Sequence, residues 1–250
     1  MADEPNSDTQ HNEPDPLTVG LSDRATRRHH RVRSTEAAAA AGIVYAVLAL
    51  LALLRLSSFP SLSLGDAELT AWFDKTGHRA QLIGALTLAS VSGIAFLWFI
   101  AVIRRRLGDH EDQFFSTVFF GSGVAYVVVW LAGAASFAAP AVAMTSLDAA
   151  EVSPASASLA GGTGAALILV VAPRLQAVFV FSTSTVILRS QVLPSWLAVV
   201  GYLMGSGMFL IPIITQPLGL AFPAWVFIVS VVMLVNRPKD LMKADSPREA

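Results

Sequence analysis

Between Arg189 and Arg237 the chain carries no Asp, Glu, Lys or Arg. As one helix, residues 190–236 would be about 70 Å long at 1.5 Å per residue. A bilayer's hydrocarbon core is about 30 Å thick and takes roughly 20 apolar residues to cross. The stretch must therefore fold back inside an apolar medium. "IPIITQPLGLAFP", with three prolines and a glycine, is the turn, leaving spans near 193–211 and 219–235. A second uncharged stretch separates Asp112 from Asp148. With 54% hydrophobic and 14% charged residues, the composition lies outside the soluble range of about 45–50% and a quarter. The expectation is an all-α, polytopic membrane helix bundle, with the lipid bilayer as its first partner.

Six spans are expected. The first covers "AAAAAGIVYAVLALLALL", residues 37–54, and the second covers 80–103, stopping at "RRR". A third runs from Phe114 to Ala139, near Pro140, and a fourth lies within 159–188. The remaining two come from the uncharged C-terminal stretch. Residues 1–35 hold almost no large apolar residue, which predicts a disordered tail ending in the basic run "RRHHRVR". Residues 36–236 form the transmembrane domain and 237–250 a second cytoplasmic tail. The long acidic leader and the lack of an A-x-A-like site after Leu54 predict an uncleaved anchor.

Basic residues orient the bundle. Thirteen fall on one side: five between Arg24 and Arg33, Arg104 to Arg106, Arg189, and four from Arg237 to Arg248. The other side holds Arg55, Lys75 and Arg79. Both termini are thus expected in the cytoplasm, in a multi-pass protein of the cytoplasmic membrane. Two cytoplasmic termini demand an even number of crossings, which makes Arg174, in "VVAPRLQAVFVF", an intramembrane residue. In the outer loop, Leu69, Trp72 and Phe73 follow Asp66 at helical spacing, which fits either a short amphipathic helix at the interface or a floppy loop with one Trp in the interfacial aromatic belt.

Arginine within a span costs roughly 2.5–3.5 kcal/mol on insertion scales and is a functional candidate. No Asp or Glu lies in any expected span to pair with it. Two readings stay open. In the structural one, Arg174 snorkels toward the outer interface or bonds the carbonyl of Leu169, which Pro173 frees by lacking an N–H. In the ligand-binding one, Arg174, Gln176, Ser182 and Thr185 line a polar pocket. On a helical wheel Thr185 falls about 20° from Arg174, while Gln176 and Thr183 form a second seam.

Other chemistry is hard to place. Cysteine is absent, so there is no disulfide, thiolate metal site or catalytic thiol. All five histidines lie in tails, loops or at a span's end, and no H-E-x-x-H occurs. "DHED" at 109–112 reads as a solvated loop facing "RRR" rather than a metal site. No metal and no cofactor is called for, and a net charge of −1 argues against a nucleic-acid partner. Packing signals are clearer: "GYLMG" puts Gly201 and Gly205 on one helix face, extended by Gly207. Small residues there let helices approach closely, within the bundle or in a homo-oligomer.

"LWFIAVIRRRLGDHE" and "TSTVILRSQVLPSWLAVVGYLMG" resemble segments of an uncharacterised family of six-helix integral membrane proteins from actinobacteria. In that family a basic or polar turn leads into "LP-x-W-L" and a glycine-containing helix. The resemblance covers roughly residues 37–236. It implies a membrane topology and no catalytic residues, and an arginine at position 174 is not part of its pattern. The leading functional reading is a non-enzymatic membrane component for assembly or partner binding. The alternative is a small-solute carrier or ligand-binding protein around Arg174, and the third is an intramembrane enzyme.

Overall fold

The computed structural model describes residues 39–61, 63–107, 113–146, 152–190, 193–211 and 219–235. All regular structure among them is helical. Helix α1 spans Ala39–Leu56. It is followed by α2, Asp66–Asp74, α3, Thr76–Leu107, and α4, Gln113–Ser146. Then come α5, Pro154–Ala165, a π-helical turn at Ala166–Val171, and α6, Ala172–Ser190. Helices α7, Ser195–Leu210, and α8, Ala221–Val235, close the bundle. The tails, "DHED" and residues 212–218 of the expected turn lie outside the described residues.

Among the described residues four helical runs are long and apolar enough to cross a membrane: α1, α3, α4 and the continuous α5–α6. Helices α7 and α8 are apolar but shorter, at 16 and 15 residues. At 1.5 Å per residue they measure about 24 and 22 Å, short of a 30 Å core.

Three runs are longer than expected, α3, α4 and α5–α6, and the last two contain a proline. Helix α4 passes Pro140 and ends at Ser146. Neighbouring helices make such a proline tolerable by supporting the backbone it leaves unpaired. Pro140 is buried there. The fourth run begins at Pro154, capped by the Ser153 hydroxyl, which accepts from the Ser156 N–H at 3.2 Å. It absorbs Pro173 through the π turn just before it, one of the usual ways a long helix accommodates a break in its ladder.

Helix α2 forms where the Leu69–Trp72–Phe73 spacing places it, but starts after Gly65 without a side-chain cap. Its apolar face turns onto the bundle, not into lipid. Leu69 and Phe73 are buried against Leu82, Ala138, Ala141 and Ala157, so α2 closes the end of the bundle where α3 begins and α4 ends.

The core is aromatic. Tyr45 of α1, Phe96 of α3, Tyr126 of α4, Phe179 of α6 and Phe222 of α8 are fully or almost fully buried. Their rings meet at 4.5–6.1 Å between centroids, mostly tilted or edge-on, the geometry that ring quadrupoles favour. Polar groups join neighbouring helices at several points. The Tyr45 and Tyr126 hydroxyls share a hydrogen bond of 2.8 Å. The Trp130 indole N–H donates to the Ser92 hydroxyl at 3.1 Å, tying α4 to α3.

Candidate functional site

Within the fourth run, the wheel's two seams face different neighbours. Arg174 and Thr185 turn toward α7. The Arg174 guanidinium donates through Nη1 to the Val170 carbonyl and through Nη2 to the Ile211 carbonyl at 3.1 Å. Ile211 is the residue after the last turn of α7, whose final carbonyls have no partner within their own helix. A cation there also meets the negative end of the helix dipole, so Arg174 acts as a C-terminal cap supplied by another helix. This differs from the expected bond to Leu169. The carbonyls used are one residue further along α6's own run and on another helix.

Eleven residues on, the Thr185 hydroxyl bonds the Phe181 carbonyl at 2.9 Å and the Tyr202 hydroxyl of α7 at 2.7 Å. Between these ties the helices touch. Gly201 faces the Ser184 hydroxyl and Val180, and Gly205 faces the Phe181 ring. A Cβ at either position would collide with those side chains. The glycine spacing therefore serves packing within the chain. Gly207 does not join it, since a Cβ there would meet nothing within 4 Å.

Ser182 donates to the Val178 carbonyl of its own helix at 2.9 Å, and Thr183 to that of Phe179 at 2.8 Å. Gln176 points the other way from Arg174. It is 7% exposed, and its amide faces the Tyr126 hydroxyl. The four candidate ligand residues are thus not gathered in one pocket: Arg174 and Thr185 join α6 to α7, Ser182 is spent on its own backbone, and Gln176 stands apart.

Gln176 lines a cavity of about 270 Å³ that the sequence did not indicate. Leu53, Leu54, Leu56 and Ser57 from the end of α1 form one wall. Tyr126, Trp130 and Phe137 of α4 form a second. Ile168, Leu169, Ala172 and Pro173 form a third, and Gly219, Leu220 and Pro223 beside α8 the fourth. The space opens because α1 stops at Leu56 and α8 begins at Ala221, while α4 and α5 continue toward α2. The π turn supplies Ile168 and Leu169 to the third wall, and none of its residues is buried. Among the described residues no side chain lining the cavity is ionisable at neutral pH. Among the described residues no group of three or more His, Asp or Glu could hold a metal.

No known protein family, no curated protein and no solved structure matches the chain.

Proposed function

We propose that the chain is a six-segment protein of the cytoplasmic membrane, with both termini in the cytoplasm, acting as a non-enzymatic component in assembly or partner binding. The observation that carries this reading is the use made of the interior polar groups. Arg174, Ser182, Thr183 and Thr185 all hydrogen-bond helix backbones or join two helices. A carrier built on Arg174 would have to take the guanidinium off the Ile211 carbonyl in every cycle, leaving a helix end uncapped in a medium without water. The likeness of "LPSWLAVVGYLMG" to six-helix actinobacterial membrane proteins supports the same topology.

Parity supports the orientation whether α7 and α8 each cross or together dip into the bilayer. A hairpin returns the chain to the side on which α6 ends. That end carries Arg189, and the end of α3 that carries Arg104 lies with it.

Helix α7 offers the surface on which the role can be tested. It packs chiefly on α6, and Trp196, Leu203, Phe209 and Leu210 are 51–75% exposed on its outer face. A photo-crosslinking amino acid at position 203 should yield a discrete protein adduct in intact cells. The same group at position 128 on α4, where Val128 is also exposed, serves as the control. Adducts with lipid alone at both positions would overturn partner binding through this face.

A further inference from the structure

The cavity between α1, α4, the π turn and α8 is apolar along its walls but not at its end. Gln176 is more than nine-tenths buried and lines it together with Tyr126. A carboxamide offers two donor hydrogens and two acceptor lone pairs. The Tyr126 hydroxyl, already bonded to Tyr45, can engage only part of that capacity. Pro173, in the wall, has no N–H, so a carbonyl of the preceding turn lacks its helical donor. Gln176 and Tyr126 thus bring polar capacity to a volume lined, Ser57 apart, mainly by apolar groups, and a buried polar group left unmet is costly.

We propose that this cavity binds an uncharged lipid bearing a single hydroxyl or carbonyl, with its apolar body among Leu53, Leu56, Ile168 and Leu220 and its polar group on Gln176. Three features select that chemistry. The absence of an ionisable wall residue excludes a charged occupant, which would be buried without a counter-charge. The apolar walls and the exposed Leu54 beside them put the opening on a surface that lipid tails reach. The amide serves a hydroxyl or a carbonyl alike, since it both donates and accepts. This rests on the membrane reading above but not on the partner-binding one.

The test uses the full chain in detergent micelles and three photoreactive probes of equal length: a diazirine-bearing long-chain alcohol, the corresponding alkane and the corresponding carboxylate. The alcohol should label residues 53–57 and 168–176 saturably, and excess unlabelled alcohol should compete. The alkane and the carboxylate should label weakly. Gln176→Leu should weaken the alcohol about five- to tenfold while leaving alkane labelling unchanged. Gly219 has open space where a Cβ would stand, so Gly219→Leu should fill the cavity and abolish saturable labelling in a folded protein. Equal, non-saturable labelling by alcohol and alkane would overturn the site, as would competition that fails on the unsubstituted chain. An unchanged alcohol affinity in Gln176→Leu would mean that only water occupies the polar end. Failure of the membrane reading would show instead in topology reporters, which do not depend on the cavity.

Discussion

At the scale of single residues, the contact between Gly201 and Ser184 shows how tightly α6 and α7 are fitted. The Ser184 hydroxyl is buried without a hydrogen-bond partner, as is the Trp225 indole N–H, whose ring also borders Gly201. Deleting an unsatisfied buried hydroxyl removes its desolvation cost, about 1–3 kcal/mol. Ser184→Ala should therefore stabilise the protein, raising its melting temperature by roughly 2–4 °C per kcal/mol for a chain of this size. Gly201→Ala should destabilise by about 1–3 kcal/mol through overpacking. Since Ser184 Oγ is the nearest obstacle to the new methyl group, the double variant should be more stable than the two single effects predict when added. Strict additivity in thermal unfolding would show that Val180 and the Trp225 ring, not the hydroxyl, set the limit. The glycine spacing was legible because close helix approach leaves a mark on one short segment. The unpartnered hydroxyl was not, because it depends on what the facing helices bring.

At the scale of elements, the informative feature is that α7 ends beside the middle of another helix. Arg174 and Ile211 are 37 positions apart, so no local spacing could pair them, although the wheel did place Arg174 and Thr185 on one face. Gln176 and the cavity were harder still. The cavity arises from where α1 stops and α8 starts, and from a π turn that shifts helical register by a residue upstream of Pro173. Proline is visible in a sequence; whether the helix kinks, ends or takes an extra residue per turn is decided by its neighbours. Arg174→Leu should leave the α7 terminus uncapped and speed amide hydrogen exchange at Phe209 to Ile211, with α3 and α4 unaffected. Arg174→Lys should recover only part of the protection, because an ammonium lacks the fork that reaches two carbonyls at once. Unchanged exchange in Arg174→Leu would make the arginine dispensable as a cap.

For the molecule as a whole, the long uncharged runs made an all-helical, membrane-capable bundle legible, because no soluble fold hides that much continuous apolar chain. They did not separate helices that cross from helices that only enter. Among the described residues there are four runs of crossing length and two shorter ones, and the proposed direction rests on the charge asymmetry. Arg55, Lys75 and Arg79 gather at the α2 end. At the opposite end Arg104 lies over the Phe120 ring, 4.7 Å from its centroid, and Arg189 closes α6. Cytoplasmic loops hold the excess of basic residues, which is the ground for the proposed orientation with the α2 end outward. Reporter fusions after Val152 should then read extracytoplasmic and fusions at Lys243 cytoplasmic; a cytoplasmic reading at Val152 would sink this orientation. A fusion after Leu218 discriminates further. An extracytoplasmic reading is expected, since the two helices fall short of the core by only about 6–8 Å. A cytoplasmic reading there, with the other two as expected, would keep the orientation and both termini in place. It would reduce the crossings to four and make α7 and α8 a hairpin dipping from the cytoplasmic side, with its tip held within the bilayer by Arg174.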